Sequence, residues 1–156
     1  MEYGARAKER FEEGYNCCQA VFLACTEDLA LGWDDETKAR LASSFGGGIG
    51  GMRQICGALS GMLLALGLRY GYADPQDKRA KTAQYEVVQA LSEAFRESTG
   101  SILCRELLGL DEKNCQPKPP EDRTAAYYAK RPCAKLCQTA GEIFERYVAE
   151  HPEDGQ

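Results

Sequence analysis

The sequence predicts an all-α fold, a single-domain bundle of about five to seven helices over residues 1–156, with an ordered core from about residue 3 to 150. Three observations predict it. Apolar residues recur at helical spacing, as at Leu136, Ala140, Ile143, Phe144 and Tyr147. Capping residues and helix breakers punctuate the chain at short intervals. No strand-like alternation, repeat or low-complexity tract interrupts them.

Helix-favouring residues run from Glu2 to Glu13 and stop at Gly14, a C-terminal cap. Asn16 caps a second helix from Cys17 to about Leu31, with Ala20, Val21, Ala24 and Leu29 on its apolar side, and Gly32 ends it. Asp34 or Asp35 caps a third helix, Glu36 to Phe45. The glycine-rich stretch Gly46 to Gly51 follows, then a strongly apolar helix from about Gln54 to Tyr70, ended by Gly71. Asp74 and Pro75 form a cap and first-turn proline, so a long helix is expected from Pro75 to about Ser98, closed by Gly100. Ser101 caps a short helix through Leu108, ended by Gly109. Asp111 to Asp122 contains Pro117, Pro119 and Pro120 and reads as a loop within the domain. A short helical segment follows at Thr124 to Lys130. Pro132 opens a last helix to about Glu150, beyond which the chain is expected to fray.

Composition narrows the function. A hydrophobic content of 44% is enough for an ordinary core, so disulfides are not needed to replace one. The net charge of −5 argues against nucleic-acid and anionic-membrane partners, which want a basic face. The longest apolar stretch, Ala58 to Leu68, is about half the ~20 residues a membrane span needs. Met1 to Arg6 is charged and holds no apolar signal core, so the expected location is the cytoplasm.

Against that background the 8 cysteines stand out. Reducing compartments seldom keep structural disulfides, so this many thiols point to redox chemistry or metal binding. Four of them fall in the first turn of an expected helix: Cys17 after the cap Asn16, Cys56 just inside the helix behind the glycine stretch, Cys104 three residues after the cap Ser101, and Cys133 after Pro132. A helix start offers free N–H groups and a positive dipole end, which stabilise a thiolate and lower its pKa. Cys18 and Cys25 share a helix face and suit the core. Cys137 lies one turn beyond Cys133, within reach as a resolving thiol or second ligand. Cys115 sits in the loop, open to solvent or a partner.

The segments Gly14-Tyr15-Asn16-Cys17-Cys18-Gln19-Ala20-Val21, Phe45-Gly46-Gly47-Gly48-Ile49-Gly50, Cys56-Gly57-Ala58-Leu59-Ser60-Gly61 and Cys104-Arg105-Glu106-Leu107-Leu108, followed by Cys133, together resemble one family, named for its C-GCAxxG-C-C cysteine pattern. The resemblance runs from Gly14 to about Phe144. It implies a small, soluble prokaryotic protein with a redox role and no firmly assigned substrate, and it maps the four characteristic cysteines onto Cys17, Cys56, Cys104 and Cys133. Related domains occur in some multihaem cytochromes. This chain has no Cys-x-x-Cys-His and a single histidine, His151, so it cannot attach a c-type haem. Cys18, Cys25, Cys115 and Cys137 are additions to the family pattern.

Other motifs weigh less. Gly46-x-Gly48-x-x-Gly51 formally matches a dinucleotide fingerprint, but it follows a helical pattern where a strand is required. It reads better as a backbone loop that lets helices cross closely and aims amides near Cys56, where a nest of them could hold an anion. Gly57 and Gly61 share a helix face and permit close packing that brings Cys56 to a helix carrying Cys17, Cys104 or Cys133. Arg53 and Arg105 flank Cys56 and Cys104 in sequence and could stabilise thiolates or bind an anionic partner. Tyr127, Tyr128 and Trp33 read as packing residues, and one C-terminal histidine rules out a hydrolase triad.

Three functions fit this sequence. The first is a thiol–disulfide redox protein, an oxidoreductase if it turns over, in which a low-pKa thiolate attacks and a neighbour resolves; Cys56 is the expected most activated thiol, with Cys17 its favoured partner and Cys104 with Cys133 a second pair, although the sequence does not select among the possible pairings. Its partner would be a redox protein or a small thiol or disulfide. The second is a metal site using Cys17, Cys56, Cys104, Cys133 and Cys137, for zinc or an iron–sulfur cluster, although the close Cys-x-x-Cys pairs of zinc sites are missing. The third is a helical interaction module with structural disulfides. A homodimer is compatible with all three.

Overall fold

Eight α-helices form the chain in the computed structural model, which describes residues 1–153. They are α1 (Tyr3–Glu12), α2 (Cys17–Cys25), α3 (Asp35–Ala42), α4 (Gly57–Tyr70), α5 (Lys78–Thr99), α6 (Cys104–Leu107), α7 (Ala125–Lys130) and α8 (Cys133–Glu150). A single 3₁₀ turn, Ser43–Phe45, extends α3.

Helix α2 is the hub of the core. Cys18 and every residue from Ala20 to Cys25 are buried, because α1, α4 and α8 pack around it. Its start is held by a capping box: Asn16 Oδ1 accepts from the Gln19 N–H (2.9 Å), and the Asn16 N–H donates to Gln19 Oε1 (3.0 Å). Around it lie Tyr3, Phe11, Leu59, Met62, Leu66, Phe95 and Phe144, all in one apolar cluster.

Two glycine contacts set the helix spacing. At Gly61 a methyl group would lie 2.6 Å from the Cys18 carbonyl oxygen, so α4 rests directly on the backbone of α2. At Gly141 a methyl would lie 2.6 Å from Tyr3 O and 2.7 Å from Gly4 Cα, so α8 and α1 touch backbone to backbone. The sequence announced the first contact and not the second.

Some boundaries differ from the sequence expectation. Helix α2 stops at Cys25, where Thr26 folds its hydroxyl onto Phe22 O (2.7 Å) and its carbonyl accepts from the buried Lys38 Nζ (2.9 Å). The α4 helix begins at Gly57 instead of Gln54, because Ile55 pairs with Leu103 in an isolated antiparallel bridge. The long helix α5 begins at Lys78, capped by Asp77, while Asp74 and Pro75 are held in the turn before it. Past Glu150 the chain is tethered where fraying was expected. Tyr70 Oη donates to His151 O (2.7 Å), and Arg69 reaches both Asp28 (2.8 Å) and Glu153 (3.4 Å). Residues 154–156 lie outside the described residues. Among the described residues no helix is long and apolar enough to cross a membrane.

The two kinds of helical glycine give opposite predictions. Gly141→Ala gains about 1 kcal/mol of helix propensity but must displace backbone, which costs about 1–3 kcal/mol, so it destabilises or at best breaks even. Gly67 lies in α4 with nothing within 4 Å of its missing Cβ, so Gly67→Ala stabilises by about 1 kcal/mol. Urea unfolding midpoints of the two variants test this directly.

Candidate functional site

Four cysteines arrive at one place because four helices begin there. Cys17 is the first residue of α2, Cys56 the residue that caps α4, Cys104 the first of α6 and Cys133 the first of α8. All four line one cavity of about 460 Å³.

Glycines make the approach close enough. The Gly46 to Gly51 segment turns with left-handed backbone at Gly47, Gly48, Gly50 and Gly51, and carries Ile49 (φ 67°) and later Arg53 (φ 59°) into the same region. A β-branched residue at positive φ is costly, and such strain concentrates at functional sites. The turn is closed by its own amides: Arg53 N–H donates to Gly47 O (3.1 Å) and Gln54 N–H to Gly48 O (2.9 Å). A methyl at Gly48 would lie 2.7 Å from Cys104 Cβ, and one at Gly57 would lie 2.5 Å from Cys17 Sγ. A methyl at Gly46 would collide with the Asn16 side chain that caps α2. The bridge at Ile55 and Leu103 fastens the remaining pair, with Cys56 N–H donating to Ile102 O (2.8 Å) and Cys104 N–H to Gln54 O (2.6 Å).

The sulfurs differ in exposure. Cys17 is half-buried, whereas Cys56 is 4% and Cys104 8% exposed. Burial decides the acidity of three of them. It pushes the Cys56 thiol well up, with the neighbouring Cys17 adding to the shift, while the amides of Ala58 and Leu59 at the start of α4 pull it part way back. Burial and Cys17 push Cys133 up to about 12. Cys104 is raised by burial and eased by Arg53, whose guanidinium donates to Sγ at 3.7 Å. Helix-start amides therefore act as expected at Cys56 alone, arginines ease Cys104 and Cys133 instead, and desolvation wins at all three positions.

The remaining cysteines lie off the cavity wall. Cys18 and Cys25 are core residues. Cys137 is buried beneath Cys17, its Sγ 3.8 Å from Cys17 O. Cys115 turns its thiol onto Glu112 O (3.4 Å). Among the described residues, no three Cys, His, Asp or Glu side chains form a group able to hold one metal ion. The four cavity thiols thus face a shared space without converging on a point.

Sequence reasoning named Arg53 but missed the rest of the cationic wall. Arg123 and Arg131 both line the cavity together with Arg53 and Lys118, whereas Arg105 bonds to Gln54 (3.4 Å) off the wall. Arg123 donates to Phe11 O (3.2 Å) and Tyr15 O (3.0 Å) at the end of α1 and sits over the rings of Phe11, Tyr127 and Tyr128, 4.3, 5.0 and 5.8 Å from their centroids. This clamp folds the proline-rich loop over the thiols, so Pro119, Pro120 and Glu121 join the lining. Only the eight-residue spacing of the two arginines around Tyr127-Tyr128 hints at it in the sequence.

An all-helical chain whose helix starts deliver four thiols to one cavity is a thiol-pocket protein by construction. The family C_GCAxxG_C_C, described as "Putative redox-active protein", matches residues 15–147, and the chain belongs to that family. An "Uncharacterized protein" of Archaeoglobus fulgidus is 38% identical over 72 residues, which cover 44% of this chain and 47% of that protein. The match thus spans less than half the length of that relative. No solved structure matches this chain.

The raised thiols make stability pH-dependent with a definite sign. Between the ordinary thiol value of 9.0 and about 12 for Cys133, the folded protein keeps a proton that the unfolded chain releases. Stability of the reduced protein is therefore intact below that window and falls as pH rises through it. The urea midpoint is expected to drop between about pH 8 and about pH 10, and a Cys133→Ser variant to drop less.

Proposed function

We propose that the protein is a thiol–disulfide redox protein whose exchange takes place in this cavity. The observation that carries the reading is the convergence of Cys17, Cys56, Cys104 and Cys133 on its wall. Cys17 attacks first, because it is the half-exposed sulfur of the Cys17 and Cys56 pair. This reverses the order favoured by sequence, in which Cys56 leads. Cys17, having lost its proton, attacks one sulfur of a substrate disulfide; that S–S bond breaks, a mixed disulfide forms on Cys17, and the first thiolate leaves and takes up a proton. Cys56, the residue next to the glycine that presses on Cys17 Sγ, then attacks the Cys17 sulfur and releases the second thiolate. Two electrons and two protons pass from two cysteines to the substrate, and a dithiol reductant restores the pair.

The open arrangement of the thiols favours this reading over a single-metal site. Protein purified without air or reductant is expected to have the same mass by native and denaturing mass spectrometry, and to lose two hydrogens per chain on treatment with a small disulfide. Cys17→Ser is expected to slow that loss by at least about a hundredfold, since the resolving thiol is buried; Cys25→Ser leaves it unchanged. A native excess mass that vanishes on denaturation, with all thiols free, overturns the proposal in favour of a metal centre.

A further inference from the structure

We propose that the substrate of this pocket is a small disulfide bearing carboxylate groups. The inference rests on the exchange reaction above and concerns what the cavity selects. Its wall carries four cationic side chains, Arg53, Lys118, Arg123 and Arg131, against one carboxylate, Glu121. That balance is the reverse of the whole chain, whose net charge is −5. Only Arg131 is paired, with Glu121 at 3.1 Å; among the described residues Arg53, Lys118 and Arg123 have no carboxylate partner.

The thiols do not account for this charge. Among the described residues only Arg53 donates to a cavity sulfur; Arg131 eases Cys104 and Cys133 and Arg123 eases Cys133, but burial outweighs them and raises these thiols. Arg123 is fixed by two carbonyls and three rings, so it cannot swing away to find a counter-ion elsewhere. Fixed cations beside apolar walls such as Leu107, Leu136 and Pro119 focus a field that favours anions. Guanidinium groups match carboxylates in geometry as well as charge. Size completes the argument. A cavity of about 460 Å³ suits an organic molecule and is far larger than an inorganic oxyanion fills.

The test uses the full reduced chain and three disulfide probes: glutathione disulfide (anionic), bis(2-hydroxyethyl) disulfide (neutral) and cystamine (cationic). Oxidation is followed by quenched intact mass under anaerobic conditions. The anionic probe is expected to react faster than the neutral one by at least about tenfold, with the advantage shrinking as salt is added. Arg131→Gln should remove most of that advantage, read as the ratio of the anionic to the neutral rate. Glu121→Gln should increase it, a gain that misfolding cannot mimic. Equal rates for all three probes, or cystamine the fastest, would overturn the anionic preference while leaving the exchange chemistry standing. If no probe oxidises the protein, the proposed function fails, and this inference with it.

Discussion

Glycine, by what it lacks, governs this structure. Four helix starts cannot meet unless their backbones come nearer than side chains allow. Gly46 against Asn16, Gly48 against Cys104 and Gly57 against Cys17 are the contacts that allow it. Any Cβ at these positions would push a cysteine-bearing segment outward. The left-handed turn from Gly47 to Gly51 adds the second requirement, a backbone conformation that ordinary side chains resist. The cost is accepted even at Ile49 and Arg53, and Arg53 thereby presents its guanidinium to Cys104.

The same closeness sets the chemistry. A helix start favours a thiolate through its amides, but a cysteine pressed into a packed junction loses water, and the loss of water dominates. Cys56 shows both effects at once, with the amides of Ala58 and Leu59 acting against burial. Mutual proximity adds to this, because each thiolate that forms discourages the next. Burial disfavours ionisation of Cys56, Cys104 and Cys133, and the pocket sets the half-buried Cys17 and Cys133 beside the buried Cys56 and Cys104. In the proposed exchange the roles of Cys17 and Cys56 are assigned from their exposure and not from their order in the chain.

Much of the fold was legible because helices are signalled locally. Asn16, Asp34, Gly14 and Gly100 mark ends where caps and breakers were expected, and Asn16 and Pro132 put Cys17 and Cys133 at helix starts, whereas Leu103 and not Ser101 caps the helix of Cys104, and Cys56 caps its helix instead of lying inside it. What escaped was non-local. The pairing of Ile55 with Leu103 shortens α4 and joins segments far apart in sequence, which no local pattern reports. The clamp of Arg123 on the end of α1 depends on the path of a proline-rich loop, so the cationic wall could not be read from composition. Helix-start electrostatics act in the expected sense at Cys56, while burial, a tertiary quantity, decided the net effect there and at Cys104 and Cys133.

The central claim is that a reversible disulfide forms inside this cavity, with Cys17 as one member. Equilibrating the protein across ratios of reduced to oxidised dithiothreitol, then trapping free thiols and mapping the bonds by mass spectrometry, tests it most directly. The account predicts a reversible two-electron transition in which Cys17 is bridged to Cys56, with Cys18, Cys25 and Cys137 remaining as thiols throughout. A bridge that excludes Cys17, or thiols that stay free across the whole range, would contradict it.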